Sequence, residues 1–186
     1  MPSKRASSKK GNDAISMLKE DHDKVKKMFK DFERMHEAEE DQEAEQLAKQ
    51  ICNELTVHST LEEEIFYPEV RGAIDDEDLM DEAEVEHASA KELISQIESM
   101  SSGDDKFAAK VVVLGEYVNH HIKEEQDEMF PQAKKAKVDL AELGERMMAR
   151  KQELMAEMGM EQEEPADDET QDAGRSRQSR SSQART

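Results

Sequence analysis

The chain has 186 residues, of which 39% are charged and 35% hydrophobic, and its formal net charge is −20. That length suits one ordinary domain with additional terminal segments. So acidic a surface repels the phosphate backbone, which argues against nucleic-acid binding by the folded part. The single cysteine, Cys52, excludes an intrachain disulfide and is typical of a protein of the reducing cytoplasm.

The two ends of the chain differ in composition from the segment between them. Residues 1–11 are predicted to be a disordered basic N-terminal arm; no apolar segment follows them, so they do not resemble a secretory signal. Residues 161–186 are predicted to be a disordered tail, first acidic ("EQEEPADDETQD") and then Ser/Arg-rich ("GRSRQSRSSQART"). Such tails are usually only solvated, and recruitment of a protein partner is the alternative. No stretch of the chain is long and apolar enough to span a membrane.

Five segments with helical periodicity lie between these ends, rich in good helix formers. They cover about 13–36, 43–70, 77–100, 105–135 and 139–158. Asn12 or Asp13 is a plausible cap of the first segment, and "RGAIDD" and "SSGDD" separate the later ones. Long helices with short connections predict an all-α, up-down-up-down four-helix bundle over residues 12–135. The short fifth helix, within 136–160, is expected to pack on the outside of this bundle.

One histidine falls on the apolar seam of each of the four long segments. In the first, steps of three and four residues run through Ile15, Leu18, His22 and Val25. In the second and fourth, a glutamate follows the histidine one turn later on the same seam. The candidate site residues are therefore His22, His58, Glu62, His87, His121 and Glu125.

The spacing His-x3-Glu means little by itself, because glutamate is abundant and His36 with Glu40 and His120 with Glu124 match it as well. A single buried histidine is also more often a hydrogen-bonded core residue than a metal ligand. The informative feature is that the order His, then His-x3-Glu, occurs twice at similar intervals. Two similar helical hairpins would then face one another across a single cavity.

Burying two carboxylates and four imidazoles with no cation costs several kcal/mol for each uncompensated charge. A pair of metal ions removes that cost, because a histidine can bind one ion while the glutamate about 6 Å further along the helix bridges both. Mixed imidazole and carboxylate ligands favour iron, with manganese or zinc as alternatives. His120 is rotated by about 100° from the seam, and His36 lies roughly 21 Å beyond His22, so both are expected outside the site.

Residues near the six candidate ligands have predicted roles as well. Glu54, Glu86 and Tyr117 are candidates to accept the free N–H of an imidazole. The acids expected on a solvated face are Glu63, Glu64 and Glu124. The residues expected to serve in packing and at helix ends are Phe66, Tyr67, Pro68, Phe130 and Pro131.

The stretches "LKEDHDKVKKMF", "ELTVHSTLEEEIFYP", "EVEHASAKELI" and "NHHIKEEQDEMFP" together resemble the hemerythrin-like HHE cation-binding domain over residues 12–135. "LGERMMARKQEL" is similar to what often follows that domain in bacterial members. The resemblance implies a non-haem di-iron centre with an oxo or hydroxo bridge. In it His22, His58, His87 and His121 would be terminal ligands, and Glu62 and Glu125 would bridge.

The sequence departs from the oxygen-carrying hemerythrins at one point. Those proteins add a fifth histidine through a His-x3-His pair on the third helix, whereas Ala83 and Lys91 flank His87 here. Coordination positions are therefore left open, fewer of them if Glu84 or Glu86 closes in. This favours binding or sensing of O2, peroxide or NO, with a link to iron homeostasis or oxidative stress. A di-iron enzyme for peroxide breakdown or iron-centre repair, and a metal-independent interaction scaffold, are the alternatives.

Overall fold

A computed structural model of the chain describes residues 13–160. Within them the structure contains helices and the turns that connect them, so the predicted all-α bundle is confirmed. The predicted N-terminal arm and C-terminal tail lie outside the described residues. No helix within residues 13–160 is long and apolar enough to cross a membrane.

The first helical hairpin consists of α1 (Ala14–Glu37) and α2 (Asp41–Leu61). Asp13 caps α1 by accepting a hydrogen bond from the Ser16 N–H, as its sequence position predicts. The connection between the two helices is short and includes Glu39 in the left-handed region, with φ 59°. This tight reversal lets α1 and α2 pack along one another, which brings the midpoints of both helices to the same level.

The chain leaves α2 through a π-helical turn, Glu62–Phe66, and enters the short α3, Tyr67–Arg71. The Tyr67 N–H donates to the carbonyl of Glu62, five residues earlier, instead of four. Pro68 lies in the first turn of α3, shortly after the π turn. The change of helix type occurs ahead of the proline, and α3 ends soon after it, at Arg71.

The second hairpin repeats this design. It consists of α4 (Glu77–Glu98) and α5 (Phe107–Glu124), followed by a π turn at Glu125–Met129 and by α6 (Phe130–Lys135). Pro131 occupies the same place in α6 that Pro68 occupies in α3. The two sequence repeats therefore have the same backbone geometry, including a π turn that begins at the candidate glutamate of each hairpin.

The last helix, α7 (Leu140–Glu157), packs against α1 and α2. Its Leu143 and Met147 are buried in an apolar cluster that also holds Phe66 and Phe130. A second apolar cluster, around Phe32, fills the other part of the bundle. Each fully buried side chain of this kind contributes about 1.5–3 kcal/mol. The polar candidate residues are buried as well, inside a bundle that otherwise has an apolar core.

Candidate metal centre

The four long helices each direct one histidine into the interior. His22 lies on α1, His58 on α2, His87 on α4 and His121 on α5, and all four are buried. Each position follows from the apolar seam of its helix, since the side chains one turn before or after it belong to the core. The structure therefore brings together the four histidines that the sequence places on the seams.

The histidines form two pairs, one for each hairpin. The Nε2 atoms of His22 and His58 are 3.1 Å apart, and those of His87 and His121 are also 3.1 Å apart. In each pair the Nε2 atoms face one another, so their lone pairs can converge on a single ion. This geometry supplies two imidazoles to each of two positions.

The two glutamates connect the pairs. Glu62 places Oε1 3.2 Å from Nε2 of His58 and Oε2 3.4 Å from Nε2 of His87. Glu125 places Oε2 3.1 Å from Nε2 of His22 and 3.7 Å from Nε2 of His121. Each carboxylate thus reaches one histidine of each hairpin, which is the arrangement that a bridging ligand requires.

The π turns explain how the glutamates reach this far inward. Glu62 and Glu125 are the first residues of the two turns, and both are 0% exposed. A π turn adds one residue to the helical ring and is frequent at functional sites. The regular i,i+4 spacing therefore predicted that both glutamates point inward, although the local backbone is not a regular α-helix.

A carboxylate faces the outer nitrogen, Nδ1, of three of the histidines. The pairs are His87 with Glu63 at 2.9 Å, His121 with Glu86 at 2.8 Å and His58 with Asp21 at 3.6 Å. The last distance exceeds that of an ordinary hydrogen bond. Such partners fix the ring and favour Nε2 as the metal-binding atom. The expectation for Glu86 is met, whereas the expectation that Glu63 is only solvated is wrong.

Each of these three carboxylates also has a basic partner on its outer side. Lys151 of α7 binds Asp21 at 2.5 Å, and Lys91 binds Glu63 at 2.5 Å. His120 lies 3.5 Å from Glu86. The charged groups around the histidines are therefore held in place from outside, and α7 takes part in this through Lys151.

His22 has a neutral partner instead. The side-chain amide nitrogen of Gln126 lies 3.0 Å from its Nδ1. An amide can rotate to present its oxygen at nearly the same position, and a metal-bound His22 would need that oxygen as the acceptor of its Nδ1–H. No feature of the sequence selects Gln126, because the His-x3-Glu spacing ends at its neighbour Glu125.

Tyr67 is the second residue that the sequence interpretation placed wrongly. It was expected only to pack at a helix end. Its hydroxyl instead donates to Oε1 of Glu125 at 3.1 Å and lies 3.2 Å from Nε2 of both His87 and His121. Burial, together with the charge of Glu125, raises the pKa of Tyr67, which keeps the hydroxyl protonated as a donor. The available signal was the repeat itself, since Phe130 occupies the matching place in the second hairpin.

Replacing Tyr67 with phenylalanine is expected to lower the free energy of unfolding of the metal-free protein by about 1–3 kcal/mol. The reason is that buried Oε1 of Glu125 loses its donor. The matched control is Tyr117→Phe, because Tyr117 is 50% exposed and is expected to change stability by no more than about 0.5 kcal/mol. Urea unfolding of the chelated proteins measures both values, and equal stability of the two variants would contradict the assigned contact.

Several carboxylate oxygens within the described residues have no hydrogen-bond donor. Both oxygens of Glu62 and Oε2 of Glu125 are buried and accept no hydrogen bond from the described residues. Burial, together with the charge of Glu62, raises the pKa of Glu125 to about 8. Burial, together with the neighbouring His58, lowers the pKa of His22 to about 3. Burial alone would lower the pKa of His58, but the neighbouring carboxylates of Glu62 and Asp21 together outweigh it and raise that pKa to about 10. Nearby carboxylates raise the pKa values of the second histidine pair as well, against the effect of burial. Buried carboxylate oxygens without a donor, next to imidazole nitrogens, match the donor set of a metal ion, so these residues fit a metal centre.

A partly open cavity of about 50 Å³ lies beside the four histidines. It is large enough for a molecule the size of water. Its remaining wall is mostly apolar and includes Val25, Leu55, Ala90, Ile94, Val118 and Ile122. A small ligand therefore has space beside the four histidines.

The other residues singled out from the sequence lie outside this centre. Glu84 pairs with Arg71 at 2.6 Å, and Glu86 faces Nδ1 of His121, so neither reaches the Nε2 atoms. Glu54 accepts from Lys24 at 3.0 Å, while half-exposed Tyr117 lines the cavity. The exposed residues His36, Glu64 and His120 contact Phe32, Arg150 and Glu124 respectively.

Comparison with known proteins agrees with this geometry. Residues 13–133 match the family model of the hemerythrin HHE cation binding domain. A solved structure, a hemerythrin HHE cation binding domain-containing protein from Mycobacterium kansasii, aligns with a TM-score of 0.62 and 22% identity. That alignment covers 78% of this chain and 88% of the other and shows the shared fold.

A curated protein named DNA nickase, from Nostoc sp. strain PCC 7120, is 30% identical over 129 residues. The match covers 68% of this chain but only 35% of that relative, so the chain spans about a third of the relative's length. The family match, by contrast, covers most of the chain and contains all six buried histidines and glutamates. The chain therefore belongs to the hemerythrin HHE cation-binding domain family.

Proposed function

We propose that the chain is a non-haem di-iron protein that binds or senses O2 or a related small oxidant. In this proposal, His22 and His58 hold one ion, His87 and His121 hold the other, and Glu62 and Glu125 bridge them. The observation that carries it is the pair of fully buried glutamates, each of which reaches a histidine of both hairpins. Three of their oxygens have no donor within the described residues.

Iron is the metal that this mixed set of imidazoles and carboxylates favours, with manganese and zinc as the alternatives. When bound, iron would supply a redox centre and a Lewis acid. The chain's own residues position the six ligands, and the outer partners Asp21, Glu63 and Glu86 hold three of the imidazoles in orientation. The adjacent cavity gives a small ligand access to these residues.

The surroundings of His87 support small-molecule binding at this centre. Ala83, one turn before it, is buried in the apolar cluster, and Lys91, one turn after it, binds Glu63. Neither supplies a further ligand. The group that comes closest is the Tyr67 hydroxyl, 3.2 Å from both Nε2 atoms of the second pair. We infer that a diatomic ligand or peroxide binds in the cavity that the four histidines line, whereas the Tyr67 hydroxyl, which is not part of that lining, holds Glu125.

We further propose a cytoplasmic protein with a role in iron homeostasis or oxidative stress. The buried, unpaired Cys52 suits a reducing compartment. The alternative is an enzyme that breaks down peroxide or repairs iron centres at the same six residues. A metal-independent scaffold is disfavoured, because without a metal ion the buried carboxylates that lack a donor would only destabilise the folded state.

The activity in the name of the Nostoc relative is not extended to this chain. The matched segment covers only 35% of that protein. The net charge of −20 also repels a nucleic-acid backbone. We therefore retain a small oxidant, and not DNA, as the proposed partner of the metal centre.

Absorption spectroscopy of the anaerobically reduced protein, before and after air, tests this proposal. We expect a charge-transfer band in the near-ultraviolet and visible range to develop with air, because the four histidines that would hold the ions line the cavity. Stopped-flow mixing with peroxide then separates the alternatives. Stoichiometric, reversible change supports binding or sensing, and multiple turnovers support the enzyme. A spectrum unaffected by both oxidants would contradict both forms of the proposal.

A further inference from the structure

A second group of possible metal ligands lies on the outer face of α4 and α5. Nε2 of His120 is 3.1 Å from Oε1 of Glu124 and 3.5 Å from Oε1 of Glu86. The donor atoms of these three residues all lie within 4.8 Å of one another. The group combines an imidazole with two carboxylates from two different helices, which is a mixed donor set and not a run of surface acids.

The position of His120 makes this group accessible. Its side chain is 64% exposed, whereas the adjacent His121 side chain is 10% exposed. The three residues border an open depression of about 520 Å³. Its other lining residues are Asp78, Asp81, Glu82 and Val85. Asp81 is paired with Arg71, but the lining as a whole is acidic, so it attracts cations from solution.

We propose that Glu86, His120 and Glu124 form a second, solvent-exposed site for a divalent cation. One imidazole nitrogen and two carboxylate oxygens would bind the ion, and water would fill its remaining positions. This donor set suits zinc and other divalent ions that accept nitrogen and oxygen together. His120 is directed here by the rotation of about 100° that separates it from the seam position of His121.

Glu86 connects this surface site to the interior. Its Oε1 faces His120, while its Oε2 accepts from Nδ1 of His121 at 2.8 Å. The carboxylate of Glu86 would thus bind the surface cation through one oxygen and His121, a proposed iron ligand, through the other. This connection rests on the proposed function, whereas the surface site itself depends only on the three residues that form it.

The test is a count of zinc in protein whose iron content is known. Purified protein is dialysed against Zn²⁺ in metal-free buffer, and both metals are measured by elemental analysis. His120→Ala/Glu124→Gln is expected to bind about one zinc ion per chain fewer than the wild type, with unchanged iron. The matched control is His36→Ala/Glu40→Gln, which removes the same residue types at the same spacing elsewhere on the surface and should bind zinc like the wild type.

Equal zinc in the wild type and the His120/Glu124 variant would overturn the proposal. So would zinc-edge anomalous diffraction from wild-type crystals without a peak between these three side chains. Low iron in the wild type would instead count against the proposed function. The zinc difference between variants would remain readable in that case, so the two failures are distinguishable.

Discussion

Glu62→Ala is expected to reduce the iron content of the purified protein from about two ions per chain to less than about one. Glu62 is the only residue whose two oxygens each approach an imidazole of a different pair among the described residues. In the proposed centre its loss would remove a bridging ligand from both positions and leave Glu125 as the only bridging carboxylate of the proposed set. Elemental analysis of freshly purified protein measures the effect.

Glu64→Ala is the matched control. Glu64 lies two residues further along the same π turn, but it is exposed and pairs with Arg150 at 2.8 Å on the surface. The substitution makes the same chemical change in the same backbone environment, and iron content is expected to stay at the wild-type value. Full iron loading of the Glu62 variant would show that this carboxylate is not a bridge. Equal loss in both variants would point to damage to the turn instead.

His121→Ala is expected to remove at least one of the two ions, whereas His120→Ala leaves the iron content unchanged. The two histidines are adjacent in the chain, yet only His121 lies within 3.1 Å of Nε2 of His87. His120 points outward to Glu124. Because binding requires converging ligands, removal of His121 leaves the second position with one imidazole.

Iron analysis and thermal unfolding of these two variants should agree. Loss of a bound ion removes the stabilisation that the ion supplies to the folded state, so the midpoint temperature of His121→Ala is expected to fall below that of His120→Ala. Loss of iron from the His120 variant but not from the His121 variant would show that His120, and not His121, faces the interior of the bundle.

The sequence was sufficient to predict the helical architecture and the burial of the six central histidines and glutamates. Apolar seams with a period near 3.6 depend on local spacing alone, so they place His22 or His87 inside a helix bundle without knowledge of the partner helices. The repetition of His, then His-x3-Glu, added the pairing of two hairpins. These features are properties of single helices, which is why they could be predicted.

The contacts made by Tyr67, Glu63 and Gln126 could not be predicted in the same way. Each depends on where a different helix lies. Tyr67 touches Glu125, 58 positions away, and Gln126 touches His22, 104 positions away. The π turn after α2 also redirects the residues that follow Glu62, and an analysis based on regular α-helical spacing does not include it.

We propose that each histidine pair holds one metal ion and that Glu62 and Glu125 bridge the two ions. Anomalous diffraction at the iron absorption edge, from crystals of the protein as purified, tests it most directly. Two peaks about 3.5–4 Å apart are expected. One should lie beside the Nε2 atoms of His22 and His58, and the other beside those of His87 and His121. The absence of a peak between either pair, or iron located only at the surface, would contradict it.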